Sequence, residues 1–140
     1  GDTVGITLCR PLTFMNNSGA ILPALMKKNS ITADRLFVVC DTLDLPPGSC
    51  RLKRKGSSAG HRGLSSIINT IGTEHFWRFY IGIGRPEKKG DVVSYVLGKP
   101  DEDDAERIEA ACSKTAEAIL ELRSKTPDML INSFNSNEHN

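Results

Sequence analysis

Leu36-Phe37-Val38-Val39-Cys40-Asp41 is five apolar residues closed by an acid. The run is too short for a helix and does not alternate, which predicts a strand covered on both faces, internal to its sheet. Strands of that kind belong to sheets flanked by helices, so the expected class is α/β. Asp41 ends the run, where the open edge of an α/β sheet places ligands. Just downstream, Pro46-Pro47-Gly48 turns the chain. Residues 49–55 then alternate, with Cys50 and Leu52 facing inward and Arg51, Lys53 and Lys55 on the other face. The loop Gly56-Ser57-Ser58-Ala59-Gly60-His61-Arg62-Gly63 leads into a short helix over 64–71, followed by a strand over 76–84 and a helical segment over 91–97.

Upstream, residues 3–10 alternate with Val4, Ile6 and Leu8 on one face, which predicts another strand ending at Pro11. Ile21, Leu22, Leu25 and Met26 predict a helix over 16–28, with Pro23 entering its first turn or kinking it. The clearest helical period is that of Ile108, Cys112, Thr115, Ile119 and Leu122 within residues 101–124. Acids at its start and Arg123 and Lys125 at its end complement the helix dipole. Thr126-Pro127 opens a last helix through Phe134, and residues 135–140 form a polar, flexible tail. The expected architecture is one α/β domain over residues 1–140: a mixed, mostly parallel sheet sandwiched by helices, with the 101–124 helix on one face.

The chain has 140 residues, 39% of them hydrophobic, enough for one globular core. Its apolar runs are too short to cross a bilayer, and no export signal opens it. Cys9, Cys40, Cys50 and Cys112 form no CxxC pair and read as reduced core residues, neither a disulfide frame nor a zinc site. The net charge of +1 is unevenly spread: residues 41–100 carry +5 and residues 101–140 carry −6. Arg51, Lys53, Arg54, Lys55 and Arg62 fall within twelve positions free of acids. Such a stripe suits a polyanion, nucleic acid being the commonest, although it would equally protect a solvated strand edge.

Few residues offer chemistry singly. Asp41 could orient and charge-stabilise a histidine, or merely cap the following turn. His61 lies among small residues that allow close approach of a substrate backbone or phosphate, or that serve the turn alone. Asn16 is a good helix N-cap and could equally bind a peptide group. His75 and His139 have no constellation around them, and Gly82-Ile83-Gly84 lacks the dinucleotide pattern.

Together these stretches resemble one family. Arg10-Pro11-Leu12-Thr13-Phe14-Met15-Asn16-Asn17-Ser18-Gly19 is similar to the KPxTxMNxSG segment of the bacterial-type peptidyl-tRNA hydrolases. Cys40-Asp41-Thr42-Leu43-Asp44-Leu45-Pro46-Pro47-Gly48 resembles their hDxLDLPxG motif. Residues 56–68 resemble GSxGGHNGLxSII, and Ile81-Gly82-Ile83-Gly84-Arg85-Pro86 and Tyr95-Val96-Leu97-Gly98-Lys99 resemble IGIGRP and YVLGKF. Ile131-Asn132-Ser133-Phe134-Asn135 looks like the family's closing helix.

The resemblance implies cleavage of the ester joining a peptide to the terminal ribose of tRNA, without cofactor or metal, by a cytoplasmic monomer (organellar if eukaryotic). In the family a histidine is the general base on water, held by the aspartate that Asp41 matches. Phe14 and Asn16 belong to the peptide or CCA-end cleft, which His61 helps line, and Arg51 and Lys53 contact tRNA phosphate. Three departures accompany this. The family's general-base histidine lies in a segment expected upstream of residue 1, so the chain reads as N-terminally incomplete relative to the family. Arg62 replaces the Asn that helps place water or the CCA end, and Tyr80 stands where many members have a phosphate-binding Arg. A non-hydrolytic RNA-binding relative is the alternative expectation.

Overall fold

Three strands, β1 (Phe37–Thr42), β2 (Cys50–Lys53) and β3 (Trp77–Gly82), form one sheet in the order β1-β3-β2. The structure is a computed structural model describing residues 5–11, 15–85 and 101–136. Trp77 N donates to the Leu36 carbonyl and Ile83 N to the Thr42 carbonyl, each at 3.0 Å. The equal offset at both ends makes β1 and β3 parallel. Gly48 N donates to the Gly82 carbonyl (3.1 Å) and Gly82 N to the Ser49 carbonyl (2.7 Å), so two residues oppose one, as at a bulge of an antiparallel pair. The sheet is therefore mixed, as expected of this α/β chain.

Its centre differs from the expectation. Among the described residues β1 is an edge strand and Val39 is 47% exposed, whereas β3 is central and buried at all but one position. An apolar run reports how apolar the two faces are, not how many neighbours the strand has. Residues 5–11 also depart: no strand forms there, and Leu8 is 82% exposed. Alternation chooses a face but supplies no partner, and a strand exists only as a ladder. Residues 3–4 and the 91–97 segment lie outside the described residues.

By their contacts the described residues divide into two compact units, one of 5, 39–52, 79–85 and 101–136 and the other of 6–11, 15–38 and 53–78. In the first, α3 (Glu102–Glu121) and α4 (Pro127–Ser136) accompany one end of the strands. Asp101 caps α3 by accepting from Asp104 N at 2.8 Å. The buried stripe of α3 is Ala111, Thr115 and Ala118, so the expected stripe is rotated. Thr115 is central, Ile108, Ile119 and Leu122 flank it half-buried, and Cys112 is exposed. Cys9 is exposed as well, leaving Cys40 and Cys50 as core cysteines; all four are free thiols. Phe134 of α4 meets Phe79 edge-on, ring centroids 5.3 Å apart, a pairing worth about 0.5–1.5 kcal/mol beyond the area buried.

The predicted tail begins too early, because α4 continues to Ser136. Asn135 accepts from Leu52 N (2.8 Å) and donates to the Leu52 carbonyl (3.1 Å), standing in for a strand partner along β2. The turn before β2 has Pro47 at its first central position and Gly48 at φ +88°, with Ser49 N bonded to the Pro46 carbonyl. That is a type II pattern, which requires a positive φ at its second central residue.

In the second unit the helix expected over 16–28 is split into a 3-10 helix (Met15–Ile21) and α1 (Leu22–Lys28), with Pro23 in the first turn of α1. Proline at that point needs no donor, so it starts α1 instead of kinking a longer helix. The 3-10 helix packs on α2 (Arg62–Ile71) through Gly19, whose N–H donates to Ser66 Oγ at 2.9 Å. A Cβ at Gly19 would stand 2.5 Å from the Ser66 carbonyl oxygen, so only glycine permits this approach. Leu22, Leu64 and Ile67 are buried here, and Phe37 stacks on Trp77 at 5.9 Å.

Candidate functional site

The loop before α2 brings His61 to a helix start. His61 N donates to the Ser58 carbonyl at 2.8 Å, and the two residues between them have φ +48° (Ala59) and +83° (Gly60). Two successive positive φ angles define a type I′ turn, which glycine takes freely and alanine only with strain. His61 is then the N-cap of α2: its Nδ1 accepts from Leu64 N at 3.2 Å. An amide N–H donating to Nδ1 requires the lone pair there, so the neutral ring carries its proton on Nε2. In this arrangement His61 presents a donor, not a base.

Arg62 follows at the first position of α2 and is exposed. With no acid in that first turn, cationic side chain and helix N-terminus add to one positive field. Asn16 lies inside the 3-10 helix that packs on α2, not ahead of it, so it is no N-cap. Its side chain, and Phe14 altogether, lie outside the described residues. Asn16, His61 and Arg62 thus belong to packed elements of one unit.

Asp41 is half-buried near the end of β1, and Thr42 Oγ1 accepts from Asp44 N at 3.1 Å in the turn that follows. Asp44 is ion-paired with Arg85. Arg51 is on β2, separated from β1 by the intervening β3, a gap of about 9–10 Å at normal strand spacing. The alternation along β2 holds as expected: Cys50 and Leu52 are buried, Arg51 is half-buried and Lys53 is exposed. Arg54 extends the basic stripe by lying over the Trp77 ring, its Cζ 5.4 Å from the centroid.

Sequence reasoning missed three contributors. Arg78, in the middle of an alternating aromatic strand, reads as solvent-facing but is 0% exposed. Asn135 reads as tail and is a tie to β2. The Arg54–Trp77 contact joins residues 23 positions apart, with nothing local to announce it. Among the described residues, no cluster of three His, Cys, Asp or Glu could hold a metal ion, and no helix is long and apolar enough to cross a membrane.

The family model of peptidyl-tRNA hydrolase matches residues 2–140. A peptidyl-tRNA hydrolase of Aquifex aeolicus is 43% identical over 123 residues, covering 88% of this chain and 64% of that relative. One from Geobacillus kaustophilus is 44% identical over 130 residues, covering 93% and 70%. Among solved structures, peptidyl-tRNA hydrolase from Acinetobacter baumannii superposes with a TM-score of 0.82 at 32% identity, over 89% of this chain and 63% of that one. The chain belongs to the peptidyl-tRNA hydrolase family, and it spans slightly under two-thirds of the Aquifex and Acinetobacter proteins.

Proposed function

We propose that this chain serves the hydrolysis of peptidyl-tRNA, cleaving the ester between a peptide and the terminal ribose of tRNA so that both are released. The observation that carries the reading is the ordered set of family motifs within a chain more than 40% identical to peptidyl-tRNA hydrolases.

Asp41 serves catalysis, and Asn16 and His61 serve substrate binding. The general base is the histidine that the family carries in a segment matching positions upstream of residue 1. Asp41 orients it and stabilises its protonated form; an ordinary carboxylate is itself a poor base at neutral pH. Water loses a proton to that histidine as its oxygen attacks the ester carbonyl. The histidine returns the proton to the departing ribose oxygen, so the cycle closes without cofactor or metal. His61 lines the cleft as a donor, as its capping bond supports. Phe14 and Asn16 hold the peptide or CCA end, and Arg62 adds positive charge at the start of α2. Arg51 and Lys53 contact tRNA phosphate, supplying affinity without sequence readout, which suits a substrate class that includes every tRNA. The protein acts as a monomer in the cytoplasm, or in an organelle of a eukaryote.

The test is Asp41→Asn in a protein carrying the family's upstream histidine. A lowered kcat with KM nearly unchanged supports the assignment; unchanged kcat refutes the role of Asp41. Turnover of a small ester at the same rate as peptidyl-tRNA would refute the substrate class.

A further inference from the structure

Among the described residues, Arg78 is the charged side chain taken completely out of solvent, at 0% exposure. Its Nη2 donates to the Glu74 carbonyl at 2.6 Å, its Nε to the Phe76 carbonyl at 3.3 Å and its Nη1 to the Ser57 carbonyl at 3.3 Å. The Cζ lies 4.2 Å from the centroid of the Phe76 ring. Glu74 and Phe76 follow α2, whereas Ser57 precedes it. One planar cation therefore ties together the two chain segments that flank α2. Burying a charge costs several kcal/mol, and a methionine would fill the same space without that cost. What methionine cannot do is hold three carbonyls in the fixed fork of a guanidinium.

The consequence reaches His61. Ser57 is followed at once by the tight Ser58–His61 turn, and that turn ends on the residue whose Nδ1 caps α2. We infer that Arg78 is a positioning residue: by fixing the Ser57 carbonyl it sets the turn, and so aims the Nε2–H of His61 toward the bound ester or CCA end. The direction of aim rests on the function proposed above; the linkage from Arg78 to the His61 tautomer does not.

The experiment reads the two parts separately in the 140-residue chain. Imidazole 15N NMR reports the His61 tautomer, and binding is measured to an amide-linked, non-hydrolysable mimic of the peptidyl CCA end. Arg78→Lys keeps the charge and loses the fork. A second variant, with one glycine inserted between Ser57 and Ser58, leaves Arg78 and the core intact and uncouples the turn. In each folded variant, His61 should pass from a single Nε2–H tautomer to a mixture, and affinity for the mimic should fall about tenfold, the worth of one well-placed hydrogen bond. If Arg78→Lys does not fold, the insertion decides. A folded variant of either kind with the native His61 signature overturns the inference. If His61 responds but the unaltered chain does not bind the mimic, the linkage stands and the functional reading fails.

Discussion

At His61 the capping bond fixes the ring: Nδ1 satisfies an orphan amide at the start of α2, which puts the proton of the neutral ring on Nε2, the donor the proposed function uses. His61→Ala should cost about 1 kcal/mol of stability in chemical denaturation, while His61→Asn should recover most of that because asparagine is a good N-cap. Neither variant keeps the Nε2–H donor, so stability and substrate affinity should separate in the Asn variant. The neighbouring turn stores strain. Ala59 at φ +48° occupies a region that costs a non-glycine residue about 1–2 kcal/mol. Ala59→Gly should therefore leave the denaturation midpoint unchanged or raised, despite the added freedom of the unfolded chain; a clear fall would show that the turn is not strained.

Elements hold where a local pattern and a partner agree. β2 and α2 were legible in the sequence because alternation, glycine loop and helical period all lie within a few residues of one another. The position of β1 was not, since strand order depends on pairing with β3 some forty residues away. The rotation of α3 has a similar cause. Ala111 and Ala118 are weak hydrophobic signals, yet small side chains are what a closely packed face accepts, while Cys112 remains outside. Asp41 and the basic stripe could be named from sequence, whereas Arg78 could not, because a buried fork to three carbonyls leaves no local pattern. Asn135 is the sharpest element-level test. Asn135→Ala removes two hydrogen bonds along β2 and leaves the Leu52 amide groups to find other partners, which should cost about 1–3 kcal/mol by denaturation. A loss below about 0.5 kcal/mol would mean that the closing helix does not secure that edge.

At the scale of the whole molecule, a near-neutral chain of net charge +1 places five of its 18 cations between Arg51 and Arg62, a stretch without acids. Under the proposed function, the logarithm of the affinity for tRNA should then fall linearly with log salt. Arg51→Ala and Lys53→Ala should each weaken binding and reduce that slope by about 0.7–0.9, with little preference among tRNAs. An unchanged slope would place the phosphate contacts elsewhere.

The central claim is that these residues bind and shape the substrate while a histidine upstream of them activates water. It is tested most directly by comparing peptide release from peptidyl-tRNA by the 140 residues alone and by the same residues preceded by the family's histidine-bearing segment, with tRNA binding measured for both. The account predicts salt-dependent binding by both and turnover lower by at least about 10²–10⁴-fold without the histidine, the usual worth of a general base. Brisk hydrolysis by the 140 residues alone, or binding without hydrolysis even when the histidine is present, would contradict it.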